Sequence, residues 1–189
     1  MTGPAGGVVT VFGSALPPQG HPEYLLAGAL GRELAAAGFA LCNGGYGGTM
    51  EAAARGAQEA GGTTTGVVFS SSHREPNRWL DRVITASTLL ERLQELLRRG
   101  DAYVVLRGGT GTLLELAAAW ETMEKGVMRR KPLVLLGAFW EPVIRTVRSG
   151  LEGRDAAAGP PILRAPSPRA CARILLEHFD KEPHAPHAL

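Results

Sequence analysis

Short apolar segments alternate with helical segments along almost the whole chain, and this alternation constrains the fold most strongly. The first segment, Val8–Phe12, is rich in β-branched residues and precedes a helical pattern from Pro22 to about Ala37. Further strands are predicted over 39–42, 64–69, 82–85, 102–106, 132–136 and 162–163. Further helices are predicted over 50–60, 88–99, 140–148 and 168–179, and another follows the loop 108–112 and ends at about 125. Repeated βα units of this kind predict an α/β, Rossmann-like fold, a doubly wound parallel sheet with helices on both faces.

The composition fits one domain over residues 1–189, with a core built mainly from Leu, Val and Ala, because 44% of residues are apolar and only 6% aromatic. A net charge of +2 does not favour nucleic acid or an anionic membrane as a partner. Neither a membrane-spanning run nor a signal peptide is apparent, so we expect a cytoplasmic protein.

No metal or cofactor site is indicated by the cysteines and histidines. Cys42 and Cys171 form no metal-binding pattern, and we expect them to be buried free thiols. His184 and His187 lie in a polar C-terminal stretch, 182–189, that we expect to be disordered.

Three glycine-containing loops follow predicted strands: Gly13-Ser14, Asn43–Thr49 and Gly108–Thr112. In an open parallel sheet such loops share the edge where ligands bind. A single glycine turn decides little, because tight turns need glycine anyway. Three loops on one edge favour a nucleotide or sugar phosphate as the ligand.

The third loop has the composition of an anion site. Its glycines allow close approach to backbone N–H groups at a helix N-terminus, and Thr110 and Thr112 add hydroxyl donors. Glu115 follows about one helical turn later. The fingerprints Gly-x-Gly-x-x-Gly and Gly-x4-Gly-Lys-Ser/Thr are absent, which disfavours an ordinary dinucleotide enzyme or a P-loop ATPase.

The segment Gly108-Gly109-Thr110-Gly111-Thr112-Leu113-Leu114-Glu115 resembles the Pro-Gly-Gly-x-Gly-Thr-x-x-Glu motif of the LOG ("Lonely Guy") family. The family comprises cytokinin riboside 5′-monophosphate phosphoribohydrolases, and many members were once labelled lysine decarboxylases. The resemblance runs from about Val8 to Trp140. It includes a second glycine loop, Gly44-Gly45-x-Gly-Gly-Thr-Met50, and Glu91-Arg92 where the family has Glu-Arg-Lys.

This resemblance implies cleavage of the N-glycosidic bond of a purine nucleoside 5′-monophosphate, without a cofactor. Arg92 and Glu115 would be the catalytic pair. The implied partner is a nucleoside monophosphate or sugar phosphate, and the implied assembly is a homodimer or larger homo-oligomer. Phosphate would bind to Gly108, Gly109, Thr110, Gly111 and Thr112, and the remaining substrate contacts would come from Gly13, Ser14, Gly44, Gly45 and Met50.

The sequence departs from the family pattern in three places. Arg107 replaces the motif proline, Leu93 replaces the lysine after Arg92, and Leu90 replaces a histidine. Arg107 either adds affinity for phosphate or simply ends its strand in solvent. These departures leave room for a non-catalytic binder of a nucleotide or of molybdenum cofactor.

Several residues also have structural interpretations. Glu115 could stabilise the first turn of its helix through the helix dipole, and Thr49 could cap the preceding glycine-loop helix. Asn77 lies in a loop, 70–78, that is either solvated or able to close over a base, together with His73 and Arg78. The basic residues 129–131 read as a solvated loop.

The lysines argue against pyridoxal phosphate chemistry, which needs a Schiff-base lysine. Lys125 and Lys131 are predicted at the sheet edge opposite the glycine loops, and Lys181 lies near the C-terminus. None is expected to reach the glycine loops.

Overall fold

The computed structural model describes residues 6–71, 74–150 and 162–181. His73, residues 151–161 and the stretch 182–189, with its two histidines, lie outside the described residues. Within the described ranges, no helix is both long enough and apolar enough to cross a membrane.

Strands and helices alternate as the sequence pattern predicts, with ends within a few residues of those expected. The described strands are β1 (Val8–Phe12), β2 (Ala40–Asn43), β3 (Thr64–Phe69), β4 (Arg82–Ala86), β5 (Ala102–Val105), β6 (Leu133–Leu136) and β7 (Ile162–Ala165). The described helices are α1 (Pro22–Ala36), α2 (Thr49–Glu59), α3 (Leu89–Arg99), α4 (Thr110–Glu124), α5 (Glu141–Ser149) and α6 (Pro168–Lys181).

The strands form one parallel sheet in the order β4-β3-β2-β1-β5-β6-β7. The predicted doubly wound fold is therefore confirmed. Successive strands run outward from β1 on one side and from β5 on the other. The order reverses between β1 and β5, where Val9 pairs with Ala102, and this is the position at which such sheets bind ligands.

The helices cover the two faces of the sheet in two groups. Helices α1, α2 and α6 share one apolar cluster with the sheet, and α3, α4 and α5 share the other. Phe12 and Tyr103 stack in the second cluster with ring centroids 5.6 Å apart. Cys42 and Cys171 are buried free thiols, as predicted.

Glycine lets α1 and α2 pack with their backbones in close approach. A Cβ added to Gly31 would overlap with the carbonyl of Ala53, and one added to Gly56 would overlap with the carbonyl of Gly28. Gly28 itself has room, since its nearest such contact is 3.5 Å. This contact fixes α2, and therefore the glycine loop that precedes it.

Two expectations about local structure are wrong. Lys131 is not solvated: it is 6% exposed, and its Nζ donates to the carbonyl oxygens of Leu97 and Gly100 at the end of α3. Burial and the nearby charge of Arg129 together lower the pKa of Lys131 to about 8, and the charge of Asp101 opposes that shift. The pattern of basic residues gave no sign that one of them would satisfy a helix terminus.

Thr49 does not cap α2. Gly48, with φ of 66°, occupies the N-cap position, and the Thr49 hydroxyl donates instead to the carbonyl of Ser14 at 3.0 Å. Thr49 thus links two loops, a long-range contact that a local capping pattern cannot reveal.

We predict that Gly31→Ala lowers the free energy of unfolding by about 1–3 kcal/mol, because the new methyl group overpacks the contact between α1 and α2. Gly28→Ala is the matched control on the same helix, and it should be neutral or slightly stabilising. Urea denaturation followed by circular dichroism measures both. Equal effects of the two substitutions would contradict the close-contact explanation.

Candidate functional site

Three loops meet at the carboxyl edge of β2, β1 and β5, which are neighbouring strands. The first and second loops are joined directly, since the Thr49 amide and hydroxyl both donate to the Ser14 carbonyl, at 2.8 and 3.0 Å. The Leu106 amide donates to the Phe12 carbonyl at 2.9 Å and holds the third loop beside the first. The predicted convergence of the three loops is therefore present.

The second loop is held in shape from within and from outside. Gly45 has a φ of 77°, a conformation that side chains disfavour. The Asn43 side chain accepts from the Gly45 amide at 2.8 Å and donates to the Met50 carbonyl at 2.9 Å. Asn77 donates to the carbonyls of Gly45 and Tyr46 at 3.1 and 3.0 Å. Asn77 therefore fixes this loop rather than being simply solvated.

The third loop contains two glycines, Gly109 and Gly111, that neither packing nor backbone conformation requires. Gly108 is required by packing, because a Cβ there would overlap with the Thr112 side chain. Added Cβ atoms at Gly109 and Gly111 would meet no atom within 4 Å, and neither residue has a positive φ. Gly109 is the N-cap of α4 and brings no side chain to cap it. The loop thus leaves open space in front of the first amides of α4.

The threonines of this loop differ in position. Thr110 is exposed beside the open space, whereas Thr112 is 3% exposed and packs against Gly108. A contribution of Thr112 to anion binding would therefore come from its amide rather than its hydroxyl.

Arg92 reaches the loops from α3 and is bound to backbone on two sides. Its Nε donates to the Val67 carbonyl at 2.8 Å, and its Nη2 donates to the Gly44 carbonyl at 3.1 Å. The guanidinium lies 5.6 Å from the ring centroid of Tyr46, whose hydroxyl accepts from the Phe69 amide. The arginine is therefore held in one orientation, with its Nη1 directed to α4.

Glu115 faces that guanidinium from α4. Its Oε1 lies 3.6 Å from Arg92 Nη1, and each of the two side chains is only 12% exposed. Glu115 lies in the second turn of α4, whose first turn carries no acid. The alternative that it serves the helix dipole from the first turn is wrong, because α4 begins at Thr110.

Burial raises the pKa of Glu115 to about 7, and the charge of Arg92 opposes that rise. A carboxyl group with a pKa near 7 can exchange a proton at neutral pH, as an acid–base group must. A 3.6 Å ion pair without an ideal hydrogen bond leaves the carboxylate able to interact with a ligand as well.

The other candidate residues support the loops more than they face open space. A Cβ on Gly13 would overlap with Thr49, and one on Gly44 would overlap with Arg92. Met50 is 7% exposed and packs close to Gly44. The Ser14 hydroxyl accepts from the Leu16 amide at 3.1 Å, and its carbonyl is taken by Thr49.

Arg107 lies on the other side of the third loop and is not simply solvated. Its Nε is 3.1 Å from Glu23 Oε1, and its guanidinium lies 4.8 Å from the ring centroid of Phe139. The sequence reasoning missed Glu23, Phe139 and the ring of Tyr46. Only Tyr46 had a local signal, as an aromatic residue within a glycine loop.

The two lysines near the sheet edges lie where the sequence predicts. Lys125 ends α4, and Lys131 precedes β6 and donates to the Gly100 carbonyl just before β5. Both are therefore at the edge opposite the glycine loops. Among the described residues, no cluster of three or more His, Cys, Asp or Glu side chains could hold a metal ion.

The chain is similar to known proteins in sequence and in fold. Residues 7–150 match the model of the SLOG cluster4 family, LDcluster4. The cytokinin riboside 5′-monophosphate phosphoribohydrolase of Mycobacterium marinum is 39% identical over 132 residues, covering 68% of this chain and 69% of that protein.

Two solved structures share the fold over nearly their whole length. The crystal structure of TM1055 has a TM-score of 0.74 at 28% identity, covering 90% of this chain and 99% of that one. The molybdenum cofactor carrier protein of Chlamydomonas reinhardtii has a TM-score of 0.70 at 26% identity, covering 92% and 98%. The family match over most of the chain, together with the similarity to the mycobacterial protein, shows that the chain belongs to the LOG-type SLOG cluster4 family.

Proposed function

We propose that this protein hydrolyses the N-glycosidic bond of a purine nucleoside 5′-monophosphate, of the cytokinin or AMP type, to free base and ribose 5-phosphate. The observation that carries the proposal is the buried pair of Arg92 and Glu115 beside a glycine loop that is open at Gly109 and Gly111. The name of the mycobacterial relative supports the same reaction class.

The substrate phosphate would bind to the amides at the start of α4, over residues 108–112. A dianion there is favoured by free N–H groups and by the helix dipole. This placement extends the ribose toward Glu115, which lies in the next turn of the same helix.

Glu115 would act at the reacting carbon. Glycosidic cleavage passes through an oxocarbenium-like state, which a carboxylate stabilises directly or serves by taking a proton from the attacking water. Water then supplies the hydroxyl group on C1′, and the departing base gains a proton. Arg92, bound to two backbone carbonyls, would orient the carboxylate and the ribose.

Incubation of the protein with AMP and with isopentenyladenosine monophosphate tests this proposal, with free base measured by chromatography. Failure to release base from any nucleoside monophosphate at high protein concentration would overturn it.

A second candidate is a molybdenum-cofactor carrier without hydrolase activity. It is favoured by the structural similarity to the Chlamydomonas carrier protein and by the arginine at the motif's proline position. Mass spectrometry of any ligand that co-purifies with the protein distinguishes the two, because a pterin would favour the carrier.

We also propose that the protein is a homodimer that pairs through α3 and α4. A groove of about 600 Å³ between these helices is lined mainly by apolar side chains, among them Leu93, Val127 and Met128. Leu90 on its rim is 71% exposed. The same two helices carry Arg92 and Glu115, so a second copy on this surface would lie next to the site.

We predict that Glu115→Gln lowers kcat by roughly 10²–10⁴-fold, because the amide can neither accept a proton nor stabilise positive charge as a carboxylate does. Glu121→Gln is the matched control on the same helix, where Glu121 is exposed and pairs with Lys125. Steady-state base release measures both. Full activity in Glu115→Gln would place the chemistry elsewhere.

We predict that kcat/KM rises with pH up to about 7 and is level above it, because the ionised form of Glu115 is the active one and its pKa is about 7. A pH series of initial rates in constant ionic strength measures this. A rate that falls above pH 7 would contradict the role of Glu115 as a base or charge stabiliser.

We predict that Leu90→Glu yields a monomer, because it places a charge in the apolar contact between copies. Leu25→Glu is the control: Leu25 is 60% exposed, but it lies on α1, on the opposite face of the sheet. Light scattering after size exclusion measures both. A dimer that persists in Leu90→Glu and dissociates in Leu25→Glu would contradict the proposed surface.

A further inference from the structure

Arg107 follows the apolar run 103–106, which extends one residue past β5, and its charge lies at the start of the third loop. Its side chain is 62% exposed, yet it contacts Glu23 from α1 and the Phe139 ring from the β6–α5 connection. An arginine that merely ended its strand in solvent would need neither partner. The aromatic face limits where the guanidinium can move, and the carboxylate neutralises its charge.

The ion pair of Arg107 and Glu23 lies in a pocket of about 420 Å³ that includes Gly109 of the third loop. Ser14 and His21 line the same pocket. His21 is already used as the N-cap of α1, where its Nδ1 accepts from the Glu23 amide at 3.2 Å. The pocket therefore contains both the open space in front of Gly109 and the exposed guanidinium of Arg107, which is paired with the carboxylate of Glu23.

Glu23 has the chemistry of a ligand that a phosphate would replace. Arginine binds carboxylates and phosphates with the same fork of N–H donors. A phosphate dianion carries more charge than a carboxylate and, next to Gly109, would also gain the free amides of α4. The pair is largely exposed on the arginine side, so little stability is lost when it opens.

We infer that Arg107 determines specificity for the 5′-phosphate of the substrate, and that Glu23 competes with that phosphate for Arg107 when the site is empty. The inference rests on the proposed function, since it assigns Arg107 to the same substrate. It gives the arginine at the motif's proline position a role in selecting phosphorylated nucleosides over free nucleosides.

Binding of AMP and of adenosine by isothermal titration calorimetry tests the inference, in a Glu115→Gln background that suppresses turnover. Arg107→Gln should weaken AMP binding by about tenfold, the equivalent of one charge-assisted hydrogen bond, and leave adenosine binding unchanged. Glu23→Gln should strengthen AMP binding several-fold, since the competing carboxylate is gone.

Arg32 and Glu59 supply matched controls, because they form an exposed ion pair at the far end of α2. Arg32 Nη1 lies 3.1 Å from Glu59 Oε2, the same separation as in the pair of Arg107 and Glu23. Arg32→Gln and Glu59→Gln change the net charge equally and should leave AMP binding unaltered. The inference is overturned if Arg107→Gln weakens AMP and adenosine equally, or if Glu23→Gln weakens AMP binding.

These measurements distinguish a failure of the proposed hydrolase function from a failure of the proposed role of Arg107. Release of base by the otherwise unmodified protein, with AMP affinity unchanged by Arg107→Gln, would retain the hydrolase and reject the role of Arg107. Affinity for AMP that depends on Arg107, in a protein that never releases base, would reject the hydrolase and retain that role.

Discussion

The guanidinium of Arg92 connects the parts on which the site depends. It donates to the carbonyl of Val67, inside β3, and to that of Gly44, just after β2, and it faces Glu115 from α4. Buried charge is unfavourable unless it is hydrogen-bonded, and here backbone dipoles supply most of what water would otherwise give. The arginine thus has a structural role in joining β3 to the loop after β2, and a chemical role in setting the environment of one carboxyl group.

The burial of Glu115 lowers the free energy of unfolding at neutral pH, where an ionised carboxylate would be most useful for catalysis. Its pKa in the folded protein, about 7, exceeds the ordinary value of 4.5 because burial disfavours the charged form. Between those values the folded state binds more protons than the unfolded state. The free energy of unfolding therefore falls as pH rises through this window, and the loss persists above pH 7. The fold maintains an ionisable group that it would be more stable without, as functional sites often do.

Much of the fold follows from local patterns. The β-branched run of Val8–Phe12 and the helical spacing after Pro22 each identify their element, and repetition of the unit leaves few topologies. The position of the site and its three loops could be predicted, because parallel strands bring Gly13, Gly44 and Gly109 to one edge of the sheet. The family resemblance selected Arg92, whereas Glu115 was also indicated by its spacing of about one helical turn from the third loop.

The parts that could not be predicted depend on contacts between distant residues. Lys131 satisfies carbonyls more than 30 positions earlier in the chain, and Thr49 bonds to Ser14 rather than to its own helix. Arg107 forms an ion pair with Glu23 across the crevice between β5 and β1. Each of these side chains has an ordinary local interpretation, so only the assembled sheet reveals its partner.

Gly44 and Arg92 form a complementary pair in size. A Cβ at position 44 would overlap with the Arg92 guanidinium and with the Met50 sulfur, so a side chain there requires both of these side chains to move. Conversely, a small residue at position 92 would leave space next to position 44 that a side chain there could begin to fill. Among related chains, these two positions should therefore vary together, and a change at one should be tolerated best when the other has already changed.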